Sequence, residues 1–197
     1  KVLRAIRPLD PDRVWRGQYE GYLDEDGVKP DSDTETYVAI DFEIDSWRWA
    51  GVPWRIRAGK ALHRTRTEAV VEFQAPPRPL FSDIECSPRA NALRFEMKPN
   101  DVICLDIQAK APGDSLVSET ASLSLDHDGI EFGPSPYHRL LGDALAGDRR
   151  LFARGDQVDV AWQIVQPVLD SPRPVSEYPY GSDFPDPGES DGDSYGG

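Results

Sequence analysis

The chain has 197 residues, of which 39% are hydrophobic and 29% charged, and a formal net charge of −13. That length allows one domain with a real core, or two small ones, and the acidity argues against nucleic acid and anionic membranes as partners unless a local basic patch overrides it. No apolar run approaches the ~20 residues of a membrane span and no leader pattern opens the sequence; two cysteines, Cys86 and Cys104, imply no disulfide framework, so reduced structural thiols and a cytoplasmic setting are expected.

Residues up to about Ser32 mix turn formers with acids, as in Pro8, Pro11, Asp24-Glu25-Asp26-Gly27 and Pro30, and read as irregular. Strand patterns follow. Val38, Ile40, Phe42 and Ile44 alternate with Ala39, Asp41 and Glu43, which predicts a strand with one buried face. The run from Trp47 to Leu62 reads as a strand pair around a Gly51-Val52-Pro53 turn. Further period-2 sets are Ala69/Val71/Phe73, Leu93/Phe95/Met97, Ile103/Leu105/Ile107 and Ala121/Leu123/Leu125. Their connections, such as Pro99-Asn100-Asp101, are short and polar, which suits hairpins.

The period then changes. Ser135 and Pro136 open a helix with Tyr137, Leu140, Leu141, Ala144 and Leu145 on one face, closed by Gly147-Asp148. A second helix starts near Asp156 with Val158, Ala161, Trp162, Val165 and Leu169 as its stripe, and Pro167 weakens its last turn. Together these predict an α+β fold: a large, mostly antiparallel β-sheet with helices packed on one face. The other sheet face, taken to carry Trp47 and Trp49, needs a cover that a second subunit could supply. Beyond Asp170 the composition turns to Pro, Ser, Asp, Glu and Gly; residues 1–182 are read as one domain and 183–197 as a disordered acidic tail.

Lys60 is the leading candidate for chemistry. It directly follows Gly59 at a strand end, where a glycine lets the chain leave the strand and a ligand come close. An ammonium there is a point charge with three donors, suited to a phosphate or a sugar hydroxyl; a solvated strand-end lysine is the plain alternative. Basic residues between Arg55 and Arg66 form a positive patch, readable as an anion site or as a solvated face paired with acids. His63, His127 and His138 stand in no catalytic motif and read as surface or packing histidines. The acidic runs Asp24-Glu25-Asp26 and Asp126/Asp128 lack a full EF-hand loop, so no metal is expected.

Several motifs together resemble one family. Lys1-Val2-Leu3-Arg4-Ala5-Ile6-Arg7-Pro8 and Gly17-Gln18-Tyr19 come first. Arg48-Trp49-x-Gly51-Val52-Pro53 follows, then Arg57-x-Gly59-Lys60-x-Leu62. Tyr137-His138-Arg139-Leu140-Leu141-Gly142-Asp143, Leu151-Phe152-Ala153-Arg154, Ala161-Trp162-Gln163-Ile164 and Tyr178-Pro179-Tyr180-Gly181-Ser182 complete the set. In order and spacing they resemble the C-terminal domain of glucose-6-phosphate dehydrogenase. That resemblance implies oxidation of glucose 6-phosphate to a lactone with NADP as hydride acceptor. It also implies a homo-oligomer, dimer or tetramer, built through the sheet.

By the same resemblance Lys60 hydrogen-bonds the sugar phosphate. A second basic contact is replaced by Thr65, between Arg64 and Arg66. A hairpin glutamine before proline is replaced by Lys98, which keeps a donor but loses the amide acceptor. Glu96 stands where some relatives carry an arginine for a second, structural NADP, which argues against that site. No G-x-G-x-x-G loop and no His-Tyr-x-x-Lys stretch occurs, so no activity is expected of this chain alone and NADP is expected to bind mainly elsewhere. Lys1 in place of Met, with Met97 the sole methionine, leads us to expect a piece of a longer protein. The rival reading is a diverged, non-catalytic relative serving as an oligomerisation or regulatory module.

Overall fold

The computed structural model describes residues 1–76, 90–114, 118–126, 135–171 and 173–183. The chain packs as two compact units, the first drawn from Lys1–Arg64 and the residues from Pro136 onward, the second from Thr65–Ser135. Cys86, His127 and the tail beyond Asp183 lie outside the described residues.

The first unit holds β1 (Val14–Tyr19), β2 (Tyr37–Phe42), β3 (Trp54–Gly59), α1 (Pro136–Ala146), α2 (Gly155–Asp170) and β8 (Ser176–Tyr178). Its four strands form a sheet in the order β3-β2-β1-β8. β1 and β3 each pair antiparallel with β2, while β8 runs parallel to β1, with Gly17 opposite Ser176 and Tyr19 opposite Tyr178. The second unit holds β4 (Thr67–Glu72), β5 (Ala92–Lys98), β6 (Val102–Lys110) and β7 (Ser118–Asp126), an antiparallel meander in sequence order. The α+β class and the mostly antiparallel pairing are as the sequence predicts. The strands, however, are shared between two four-stranded sheets.

Aromatic packing decides the core of the first unit. Tyr37 and Tyr178 are each only 1% exposed, and Ala39 is buried in the same cluster. Trp15 meets Tyr37 edge to face at 5.1 Å, and Tyr37 meets Tyr178 at 5.7 Å, the geometry that aromatic quadrupoles favour. This reverses the expected inner face within β2: Tyr37 and Ala39 are buried, whereas Val38, Ile40 and Phe42 are only half-buried; Ile44, just beyond the strand, is buried as expected. Gln18 is buried too, and its amide donates to the Ser32 and Thr34 carbonyls at 3.0 Å each, which pins the loop before β2.

Three further expectations change. The irregular opening contains β1, whose Gly17 leaves no room for a side chain: a Cβ there would sit 2.8 Å from the Trp15 ring and 2.9 Å from Tyr178. Trp47 and Trp49 lie in the turn between β2 and β3 and not in a sheet face; Trp49 packs edge-on against Trp54 at 4.9 Å. In α2 the buried residue is Ile164, whose carbonyl accepts the Leu9 N–H at 2.8 Å; Val158, Trp162 and Leu169 are exposed. The helix is apolar on more than one face, and contact with the N-terminal segment selects the Ile164 side.

The second unit is strongly two-faced. Register places Val71, Leu93, Leu105 and Leu123 in one row and Ala69, Phe95, Ile103 and Leu125 in the next, so one face is apolar throughout. The opposite face centres on Asp106, which accepts from Ser122 Oγ at 2.6 Å, from Arg94 at 3.1 Å and from the Cys104 thiol at 3.5 Å. The Ser122 hydrogen bond, aided by Arg94 and working against burial, holds the Asp106 carboxyl below the ordinary aspartate range. Burial and the bond to Asp106 push the Cys104 thiol up, so it stays a protonated donor.

A carboxyl depressed in the folded state stabilises the fold above its unfolded pKa, and that stability is lost as pH falls through the folded value. Ser122→Ala is therefore expected to destabilise the protein at neutral pH, with the difference from wild type shrinking below about pH 4. Urea unfolding followed across this range checks it; a pH-independent difference would exclude this carboxylate as the cause.

Candidate functional site

The Lys60 turn is built by its neighbours. Gly59 ends β3 opposite Tyr37, and a Cβ on Gly59 would lie 2.4 Å from the Tyr37 ring. The glycine is thus required by a close aromatic neighbour, which fills the space the sequence reading reserved for a ligand. The Lys60 N–H donates to the Thr36 carbonyl at 2.9 Å, and the Lys60 carbonyl accepts from the Tyr178 hydroxyl at 2.9 Å. Ala61 follows at φ 52°, a left-handed conformation that a residue with a Cβ adopts only when its surroundings hold it. Here the Gly181 N–H binds the Ala61 carbonyl at 2.7 Å, and the His63 N–H binds the Ser182 carbonyl at 3.0 Å. Leu62 then turns back into the aromatic cluster.

The Lys60 backbone is therefore held on both sides while its side chain is exposed. Among the described residues its ammonium has no acid partner. Its basic neighbours differ. Arg55 grips Asp41 with two nitrogens, at 2.6 and 3.1 Å, and holds that carboxyl below the usual range. His63 Nδ1 meets Asp183 at 2.7 Å. The paired-face reading of the basic patch thus describes Arg55 and Arg66, while among the described residues Lys60 and Arg64 have no acid partner.

Thr65 and Lys98 belong to the second unit, and both are exposed. Lys98 ends β5 opposite Thr67 and precedes Pro99 in a cis peptide. Arg66 is engaged by Glu68 at 3.3 Å, and Glu96 stands opposite Glu68 across the β4–β5 pair. Two facing carboxylates do not fit a phosphate-bearing ligand at that place. His138 lies on the exposed surface of α1.

Residues 1–191 match the family model described as glucose-6-phosphate dehydrogenase, C-terminal domain. The chain belongs to that family. It is 40% identical over 193 residues to glucose-6-phosphate 1-dehydrogenase 1 of Mycobacterium bovis, covering 96% of this chain and 40% of that protein. The crystal structure of glucose-6-phosphate 1-dehydrogenase from Mycobacterium avium is similar at TM-score 0.79 and 41% identity, covering 92% of this chain and 38% of that one. A glucose-6-phosphate dehydrogenase solved in complex with its substrate glucose-6-phosphate is similar at TM-score 0.82 and 37% identity, covering 94% of this chain and 41% of that one. The chain thus spans about 40% of the length of the relatives it matches. Among the described residues no helix is long and apolar enough to cross a membrane.

Sequence reasoning singled out Lys60 as a candidate but missed the residues that hold its turn, Thr36, Tyr37 and Tyr178. Tyr178 was visible only as part of a resembling C-terminal motif. Gly59→Ala is expected to cost about 1–3 kcal/mol, the usual penalty for forcing an extra methyl against a packed ring, here the buried Tyr37. Urea unfolding measures it; a variant as stable as wild type would show that the Tyr37 ring is free to move aside.

Proposed function

We propose that this chain is the C-terminal domain of an NADP-dependent glucose-6-phosphate dehydrogenase that oxidises glucose 6-phosphate to 6-phosphogluconolactone in the cytoplasmic pentose phosphate pathway. In this reading Lys60 supplies a charged donor to the sugar phosphate, and Thr65 and Lys98 are further substrate contacts. NADP, held mainly by a dinucleotide domain outside this sequence, takes up the hydride. The observation that carries the reading is the Lys60 ammonium, without an acid partner among the described residues, on a backbone pinned at both its N–H and its carbonyl. The family match and the similarity to a dehydrogenase solved with glucose-6-phosphate support it. A donor held in this way meets a phosphate without first being pulled from a carboxylate, so little of the attraction is lost to reorganisation.

The proposal includes a homo-oligomer. The uncovered apolar face of β4–β7, with Leu123 61% and Leu125 59% exposed, is its proposed interface, of the order of 2,000 Å² or more for an obligate contact. Leu123→Glu is expected to shift the full-length protein toward monomer in sedimentation; an unchanged oligomer would place the interface elsewhere.

A second reading, a diverged non-catalytic relative, is favoured by Thr65, Lys98 and Glu96. The decisive experiment uses the full-length protein that carries this chain. Lys60→Ala is expected to raise KM for glucose 6-phosphate by roughly tenfold to a hundredfold, the equivalent of about 1.5–3 kcal/mol for a hydrogen bond to a charged group. KM for NADP should move little. Thr65→Arg should lower KM for glucose 6-phosphate if a basic contact is merely missing. An unchanged KM in Lys60→Ala would refute the site assignment, and a full-length protein without dehydrogenase activity would favour the second reading. The 197-residue chain alone is expected to be inactive.

A further inference from the structure

We propose that Tyr178 is a positioning residue for Lys60, an inference that rests on the reading of Lys60 given above. Tyr178 touches no substrate in this proposal; it acts on the lysine through the main chain. Three bonds run in series. The Tyr19 N–H donates to Thr36 Oγ1 at 3.0 Å, Thr36 Oγ1 lies 2.9 Å from the Tyr178 hydroxyl, and that hydroxyl lies 2.9 Å from the Lys60 carbonyl. A phenol has one hydrogen. The other acceptor within its reach, the Thr36 carbonyl, is farther at 3.3 Å, so the hydrogen goes to Lys60 and the Thr36 hydroxyl donates to the phenol oxygen. Hydrogen bonds in such a series polarise one another in the same direction. The Thr36 carbonyl meanwhile accepts the Lys60 N–H, so Thr36 and Tyr178 together grip both ends of one lysine residue. The left-handed Ala61 follows directly, and the peptide that joins it to Lys60 carries the carbonyl that Tyr178 holds. Release of that carbonyl frees the turn to relax, and the direction in which the Lys60 side chain leaves the strand relaxes with it.

The test uses the full-length protein with glucose 6-phosphate and NADP. Tyr178→Phe keeps the buried ring and removes only the hydroxyl. It is expected to raise KM for glucose 6-phosphate by roughly threefold to tenfold, the range of one neutral hydrogen bond, with kcat and KM for NADP unchanged within about twofold. In a Lys60→Ala background the same change should add nothing, because its effect passes through the lysine. Thr36→Val should reproduce the rise, and Thr36→Ser, which keeps the donor, should restore the wild-type value; these variants decide the matter if Tyr178→Phe fails to fold. A KM raised by Lys60→Ala but untouched by Tyr178→Phe and Thr36→Val overturns this inference and leaves the Lys60 assignment standing. Equal effects of Tyr178→Phe with and without Lys60 overturn it as well, since they mark a merely structural role. A KM that Lys60→Ala itself leaves unchanged overturns both.

Discussion

A buried hydroxyl must find partners, and the burial of Tyr178 therefore dictates where three separate segments of the chain lie. Its oxygen lies within 2.9 Å of both Thr36 and Lys60, and its own strand runs parallel to β1. That strand, β8, has three residues and could not persist by pairing alone. Its ring, packed at 5.7 Å from Tyr37 and 6.3 Å from Tyr19, supplies the apolar burial, and the hydroxyl sets the alignment. An unsatisfied buried hydroxyl costs about 1–3 kcal/mol. A slip of β8 by one residue would turn Tyr178 to the other face and forfeit both contributions. The strand order, the Lys60 turn and the return of the C-terminal segment thus follow from one side chain.

What could be read in the sequence divides along the same line. β4 to β7 were legible because hairpin pairing is local and the sheet has one apolar face, so Leu93/Phe95/Met97 and Ile103/Leu105/Ile107 show a clean period of two. α1 and α2 were legible because Pro136 and a 3.6-residue period mark them. β1 and β8 were not. Val14-Trp15-Arg16-Gly17-Gln18-Tyr19 carries no alternation, since Gly17 is there to admit the Tyr178 ring, and Tyr178 comes 161 positions later. The buried face of β2 was misjudged for a related reason. Aliphatic alternation favours Val38, Ile40 and Phe42, but the aromatic cluster draws in Tyr37 and Ala39. Lys60 was singled out because its neighbours resemble a family; what holds its turn are residues 24 and 118 positions away along the chain.

The two sheets meet the problem of burial differently. In the first, four large aromatic rings pack against one another, and a polar residue, Gln18, is buried with both amide hydrogens used. In the second, the apolar face formed by Val71, Phe95 and Leu123 remains uncovered, while the polar face is organised around Asp106. A four-stranded sheet of this kind leaves much of its hydrophobic stabilisation unrealised until something covers it. Stability of that unit is then tied to the concentration and affinity of its cover. Asp106, by contrast, is satisfied entirely within the sheet, so its contribution needs no partner.

Electrostatics explains why rigidity matters more than charge at the Lys60 turn. The protein is acidic overall, with a net charge of −13, so its long-range field does not draw in an anion. Across about 4 Å of water a single ammonium attracts a phosphate by only ~1 kcal/mol, so the larger effect proposed for Lys60 requires a direct, charge-assisted hydrogen bond. Arg55 shows the usual fate of a cation here: Asp41 engages two of its nitrogens. Lys60 differs: its turn is aligned by Thr36 and Tyr178, and no carboxylate among the described residues pairs with its ammonium. Such a charge-assisted bond yields its full affinity only if neither a competing acid nor a mobile backbone consumes it. In the proposed site neither loss is large, because among the described residues no acid pairs with the Lys60 ammonium and the lysine's N–H and carbonyl are both hydrogen-bonded.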